Sequence, residues 1–180
     1  MKSKLLLTLG LSLLLTSLAL SQAVETKKAP DFTLPDIEGK IVSLSKSLGK
    51  GPIYVSFWAT WCKPCLEEMK IIQKLYDKYQ DQGFRVMAIN TEGPKASAKV
   101  KSFVKSYGIT YDILVDNDGE VFRRKFKGAA MPFTMLINAD GKVIFSAVGF
   151  KPGDEKEIEK LVLANLLTPA DTTEQSGSEQ

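Results

Sequence analysis

The chain contains 180 residues, of which 44% are hydrophobic and 25% charged, and its formal net charge is +3. This size accommodates one globular domain with a substantial hydrophobic core, and it leaves no room for two full domains. The absence of histidine excludes histidine general bases, histidine metal ligands and axial haem histidines.

The amino-terminal segment 1–23 has the basic, apolar and small-residue regions of a secretory signal peptide. Lys2 and Lys4 precede an apolar stretch from Leu5 to Leu20, and we expect cleavage after Ala23. An uncleaved anchor is the alternative, although the apolar run is shorter than the roughly 18 residues of a membrane span. Cleavage leaves 22 basic against 21 acidic residues, which is too even a balance for a nucleic-acid-binding surface. The segment predicts export, to the periplasm or the outer face of the cytoplasmic membrane, where disulfides are favoured.

The rest of the chain divides into a polar linker at 24–29, a single domain at 30–167 and a polar tail at 168–180 that we expect to be disordered. Apolar runs bounded by glycine, proline and polar residues predict strands at 31–34, 40–44, 53–58, 84–90, 113–116, 133–138 and 143–148. Helices are predicted at 64–80, 95–107, 120–126 and 154–167.

The order of these elements predicts the type of sheet. Strands that alternate with helices favour parallel pairing through right-handed crossovers. The Asp140-Gly141 step between the last two strands is a strong signal for an antiparallel hairpin. The sequence therefore predicts an α/β fold with a mixed sheet, preceded by a β-hairpin that turns at 35–39.

The only two cysteines stand in Trp61-Cys62-Lys63-Pro64-Cys65, between a predicted buried strand and a long predicted helix. This spacing holds both sulfurs within bonding reach, and the free amides and dipole of a helix start favour a thiolate on Cys62. Thiolate is the form that attacks a disulfide, so the pattern indicates a redox-active dithiol. We interpret Cys62, nearer the helix end and more exposed, as the attacking thiolate, and Cys65 as the resolving thiol. A permanent disulfide is the alternative, but so short a ring removes little chain entropy.

Four motifs resemble those of the exported TlpA/ResA group of thiol:disulfide oxidoreductases in the thioredoxin superfamily. They are Ala29-Pro30-Asp31-Phe32-Thr33-Leu34, Phe57-Trp58-Ala59-Thr60-Trp61-Cys62-Lys63-Pro64-Cys65, Met131-Pro132 and Leu136-Ile137-Asn138-Ala139-Asp140-Gly141-Lys142. The resemblance covers roughly residues 30–167. It implies a thioredoxin-like three-layer fold, with a central mixed β-sheet flanked by helices and an N-terminal β-hairpin.

The surroundings of the dithiol are expected to bind the partner. Pro132 resembles the cis-proline that lies beside the dithiol in this family, where the preceding residue, here Met131, offers its backbone to a bound partner strand. A trans proline at a strand start is the alternative. We expect Trp61 to flank the active sulfur within an apolar partner surface, and Trp58 to pack in the core.

Glu68 follows Cys65 by three residues, which places both on one face of the predicted helix. In the resemblance it occupies the position of the ResA-type active-site glutamate, and our hypothesis is that it assists proton transfer at Cys65. An ordinary exposed carboxylate is the alternative. Thioredoxin carries a buried aspartate six residues before the first cysteine, where this chain has Ser56, and this difference favours Glu68 as the proton-handling group.

We predict an exported thiol:disulfide oxidoreductase that acts chiefly as a reductant of protein disulfides. The resemblance implies a membrane thiol-transfer protein as electron donor, and apocytochrome c or a copper-site assembly protein as client. We expect a monomer. No cofactor is expected either, and two cysteines cannot form a four-thiolate zinc site.

Three other functions share part of the pattern. Thiol oxidants that donate disulfides usually carry a larger helical insertion than the segment 90–114 can provide. A peroxiredoxin-like peroxidase would have a proline and a threonine where this chain has Val55 and Ala59. A non-enzymatic Cu(I) carrier could use the two thiolates, although no histidine or third thiolate supports the ion.

Overall fold

The computed structural model describes residues 27–166, so the predicted signal peptide and the predicted tail lie outside the described residues. The strands are β1 Thr33–Pro35, β2 Ile41–Ser43, β3 Ile53–Trp58, β4 Arg85–Asn90, β5 Asp112–Val115, β6 Phe133–Ile137 and β7 Val143–Val148. The helices are α1 Lys63–Tyr79, α2 Ser97–Ser106 and α3 Asp154–Asn165, with one π-helical turn at Val121–Lys125. These bounds lie close to the predicted ones.

The strand β3 is the middle strand of a five-stranded sheet with the order β5-β4-β3-β6-β7. It pairs in parallel with β4, which pairs in parallel with β5, as the alternation of strands and helices predicted. The strand β6 is antiparallel to both β3 and β7, so the predicted final hairpin is confirmed. β1 and β2 form the predicted hairpin at the entry to the domain. The predicted α/β fold with a mixed sheet is therefore confirmed.

Both faces of the sheet are covered, because successive side chains of β3 point to opposite faces and all of them are buried. On one face Tyr54 and Trp58 pack in a core that includes residues of α1, α2 and α3. On the other face Val55 and Phe57 pack in a core that includes the β1–β2 hairpin and the π-helical turn. Trp58 is a core residue, as predicted.

The helix α1 begins directly after Cys62 and contains Pro64 in its first turn, where no amide hydrogen is required. Its buried side includes Cys65, Glu68 and Met69. The helix therefore carries the second cysteine and the acidic residue inward, against the same face of β3 that bears Tyr54.

The first residues that the structure describes form backbone hydrogen bonds with the domain. Within the predicted linker, Lys28 forms an isolated antiparallel bridge with Lys142, and the backbone N–H of Ala29 donates to the carbonyl of Gly141. Among residues 27–166, no helix is long and apolar enough to cross a membrane.

Candidate active site

Cys62 and Cys65 form a disulfide at the amino-terminal end of α1. The chain leaves β3 at Trp58 and turns back so that the N–H of Cys62 donates to the carbonyl of Ala59 at 3.0 Å. Cys62 is the residue that caps α1, and its own carbonyl accepts the N–H of Leu66. The sulfur of Cys62 is thus placed where a thiolate is stabilised by the helix amides and dipole.

The two cysteines differ in exposure in the direction predicted, although both are buried. Cys62 is 6% exposed and Cys65 is 0% exposed. An incoming disulfide can therefore reach Cys62 first, while Cys65 is protected from solvent by the body of the domain.

Glu68 is the buried acidic residue of this site, with 1% of its surface exposed. Its Oε1 accepts hydrogen bonds from the hydroxyls of Tyr54 at 2.8 Å and Thr134 at 2.6 Å. Its Oε2 accepts the hydroxyl of Ser56 at 2.6 Å. The alternative prediction, an ordinary exposed carboxylate, is therefore wrong for Glu68, whereas its neighbour Glu67 is exposed.

The sheet brings these three hydroxyls to one place. Tyr54 and Ser56 are two residues apart on β3 and so share a face. Thr134 lies directly opposite Ser56 in the antiparallel pairing of β3 and β6. Sequence reasoning named Ser56 only as a departure from thioredoxin and missed Tyr54 and Thr134. A polar residue within an otherwise apolar buried strand was the available signal.

The protonation of this cluster follows from its burial. Burial raises the pKa of Glu68 above its ordinary value, and the hydrogen bonds from Ser56, Thr134 and Tyr54 oppose this shift without cancelling it. Burial and the nearby Glu68 charge raise the pKa of Tyr54 well above its ordinary value, so its hydroxyl remains a donor. Glu68 can therefore bind a proton more readily than an exposed glutamate, one helical turn from Cys65.

A second acidic residue, Glu92, supports the turn that precedes Cys62. Its carboxylate accepts the backbone N–H of Thr60 at 2.6 Å and the Thr60 hydroxyl at 2.8 Å. The side-chain amide of Asn90 and the ammonium of Lys99 lie 3.2 Å and 3.5 Å from it. Burial alone would raise the pKa of Glu92, but these donors hold it below its ordinary value.

Sequence reasoning missed Glu92, although a signal for it existed. The parallel strands β3 and β4 end together, with Trp58 paired to Asn90. Residues that follow the two strands therefore meet at the same edge of the sheet, as Thr60 and Glu92 do.

Of the three predicted partner-binding residues, Trp61 and Met131 reach the surface, whereas Pro132 is buried. Trp61 is 66% exposed, and Met131 is partly exposed. The Met131–Pro132 bond is cis, as the resemblance implied. The hydroxyl of Thr91 lies 3.4 Å from the sulfur of Met131. Within residues 27–166, the backbone N–H and C=O of Met131 make no hydrogen bond to another backbone group.

The chain is similar in sequence to a known protein family and to several known proteins. Residues 26–146 match the AhpC/TSA family. The chain is 36% identical to the thiol-disulfide oxidoreductase ResA of Bacillus thuringiensis subsp. konkukian over 131 residues, which are 73% of each chain. It is 34% identical to ResA of Bacillus subtilis over 149 residues, covering 83% of this chain and 79% of that one.

Among solved structures, one similar chain is a Chlorobium tepidum protein assigned as the thiol:disulfide interchange protein DsbE. It aligns with a TM-score of 0.71 and 33% identity, over 79% of this chain and 97% of that one. The alignment confirms that the sheet, its helices and the entry hairpin form the thioredoxin-like architecture that the motifs implied.

Proposed function

We propose that this chain, which belongs to the AhpC/TSA family and is a thiol-disulfide oxidoreductase of the ResA type, acts as a reductant of protein disulfides outside the cytosol. The observation that carries the proposal is the Cys62–Cys65 disulfide at the start of α1, with Glu68 buried on the same helix. This arrangement combines a reachable sulfur, a protected sulfur and a proton acceptor within two helical turns.

The proposed reaction begins with the reduced dithiol. The Cys62 thiolate attacks one sulfur of a client disulfide, forming a mixed disulfide and releasing the first client sulfur as a thiolate. Cys65 then loses its proton and attacks the Cys62 sulfur, which closes the internal disulfide and releases the second client sulfur. Two electrons pass from the dithiol to the client, and the client thiolates take their protons from solvent.

In this scheme Glu68 is the residue that accepts the proton of Cys65. A buried thiol resists ionisation, because burial disfavours the charged form. The Glu68 carboxylate is buried too, and its raised pKa makes it a better proton acceptor than an exposed glutamate. The three hydroxyl donors hold it in place without supplying a competing charge.

The partners and the location are part of the same proposal. We infer a membrane thiol-transfer protein as electron donor and apocytochrome c or a copper-site assembly protein as client, with the enzyme acting as a monomer. Export through the segment 1–23 would place it in the periplasm or on the outer face of the cytoplasmic membrane. The basic start and apolar run of that segment support this location.

The reduction potential of the Cys62/Cys65 couple tests the direction of exchange. Equilibration of the purified protein with dithiol buffers should give a value near the ~−270 mV of thioredoxin. A value near the ~−120 mV of strong oxidants would instead make the protein a disulfide donor. Tight stoichiometric Cu(I) binding together with inert exchange chemistry would favour the metal carrier.

A Cys65→Ser variant tests the client. It should retain the first attack and lack the resolving thiol, so that clients remain joined to Cys62 and can be identified by mass spectrometry. The Cys62→Ser variant is the matched control, since it should capture far less of the same proteins. Equal capture by both variants would contradict the assigned roles of the two cysteines.

A further inference from the structure

A groove runs beside the exposed face of the disulfide turn and has charged and apolar walls. We call it the Trp61 groove, with a volume of about 430 Å³. It is lined by Trp61, Thr91, Glu92, Lys95, Ala96 and Lys99. Trp61 directly precedes Cys62, and Thr91 contacts the side chain of Met131, so a client held against Cys62 and Met131 would extend into this groove.

The charge that the groove presents to solvent is positive. Glu92 is its one acidic lining residue, but the carboxylate is directed into the protein, where both oxygens accept hydrogen bonds from Thr60. Its side chain is 11% exposed, whereas the Lys99 side chain that pairs with it is 63% exposed. Lys95 is exposed and forms no ion pair within residues 27–166.

The groove also has an apolar wall. Trp61 is exposed over two thirds of its surface, and an indole at this exposure is a common anchor for an apolar side chain of a partner. Ala96, the other apolar lining residue, has only a small side chain. An apolar residue and an acidic residue in neighbouring positions would together match these walls.

We infer that the Trp61 groove selects client segments in which an acidic residue and an apolar residue stand next to each other beside the client disulfide. Lys95 is the residue that attracts the acidic side chain. The inference rests on the proposed function, because it concerns the substrates of the same site. Charge complementarity of this kind chiefly raises the rate of encounter and sets specificity. Lys95 is a specificity-determining residue in this scheme and takes no part in the sulfur chemistry.

Three synthetic peptides test the inference. Each is closed by one internal disulfide, and they differ only at one position beside a leucine, which is Glu, Gln or Lys. The rate of reduction by the full mature protein is measured for each peptide at low ionic strength and at about 1 M salt. The comparison is repeated with Lys95→Glu, Lys95→Arg and Lys105→Glu, the last being an exposed lysine of α2 outside the groove.

The wild type should reduce the Glu peptide about threefold to fivefold faster than the Lys peptide at low ionic strength, the range of one exposed charge pair. The ratio of the two reduction rates should approach one at high salt. Lys95→Glu should invert it, whereas Lys95→Arg and Lys105→Glu should keep it. Comparing each variant with the wild type cancels any intrinsic difference in reactivity between the peptides.

The possible failures are distinguishable. An unchanged Glu-to-Lys ratio in Lys95→Glu, with all peptides reduced, overturns this inference and leaves the proposed function standing. A ratio of one in the wild type has the same meaning. If the wild type reduces none of the peptides while remaining folded and dithiol-competent, the proposed reductant function fails, and the inference fails with it.

Discussion

Ser56 and Thr134 lie opposite each other on β3 and β6, and their hydroxyls donate to different oxygens of the same buried carboxylate, that of Glu68. The pair fixes both oxygens from the sheet side, while the backbone of Glu68 belongs to the helix that carries the dithiol. The position of a proton acceptor relative to Cys65 is therefore set jointly by two elements of the fold.

Glu68→Gln should slow the resolution of the mixed disulfide, because the amide cannot accept the Cys65 proton. We expect a loss of about 100-fold in this step at neutral pH, the lower end of general base effects. Stopped-flow measurement of the resolution phase after mixing with a client disulfide reports it. The exposed neighbour supplies the control, and Glu67→Gln should leave the rate unchanged. If Glu68→Gln changed neither the rate of resolution nor the titration curves of the two thiols, the proton-transfer role would be contradicted.

Glu68 should also make the stability of the protein depend on pH. Its folded-state pKa is raised by burial above the ordinary value of 4.5, so the folded protein binds this proton more tightly than the unfolded chain. The stabilisation is present in full below pH 4.5 and is lost as the pH rises through the folded-state pKa. Urea unfolding of wild type and Glu68→Gln should therefore diverge as the pH rises from 4.5 through the folded-state pKa, with the stability of the wild type falling relative to that of the variant.

Thr134→Val should destabilise the folded protein by about 1–3 kcal/mol at neutral pH, since it leaves a buried carboxylate oxygen without one of its donors. Valine preserves the shape of the side chain, so packing is largely retained. Chemical denaturation measures the loss, and Thr33→Val on the exposed side of β1 is the matched control. The effect should largely vanish in a Glu68→Leu background, which has no acceptor for the Thr134 hydroxyl, whereas full additivity would argue against the hydrogen bond.

Glu92→Gln should weaken the turn before Cys62, because the charge-assisted hydrogen bonds to Thr60 become neutral ones. We expect a loss of about 1 kcal/mol and a changed rate of Cys62 alkylation in the reduced protein. The folded-state pKa of Glu92 is lowered, so its stabilisation is present above pH 4.5 and is lost as the pH falls through the folded-state pKa. The free energy of unfolding of Glu92→Gln, measured as the pH is lowered, should not show this loss. Identical alkylation rates in both proteins would show that the turn does not depend on Glu92.

Trp61→Ala should lower the kcat/KM for peptide disulfides that have an apolar neighbour by about tenfold, while changing the free energy of unfolding by less than about 0.5 kcal/mol. The indole is 66% exposed, so little of its surface contributes to the core. Ile41→Ala is the control, because Ile41 is exposed to a similar degree and lies on β2, outside the candidate site. A large stability loss in Trp61→Ala would assign the residue to packing.

Much of the fold was readable along the chain because its signals are local. The Asp140-Gly141 turn depends on a few residues, and it forms the hairpin that it predicts. The run from Ile53 to Trp58 is uniformly buried, as its apolar content indicated. Partners of Glu68 were harder to read, because Tyr54 and Thr134 lie 14 and 66 residues from it along the chain.

The redox pair itself could be recognised without any structure, since two cysteines three positions apart at a helix start are brought within bonding reach by the backbone of a single turn. The proton chemistry beside the redox pair could not be recognised from the sequence. The burial of Glu68, and hence its raised pKa, arises only when the sheet closes over α1 and supplies donors from two strands. Likewise Glu92 reaches Thr60 only because parallel strands end at the same edge. Bonding geometry acts over short stretches of chain, whereas solvent exclusion depends on the whole assembled domain.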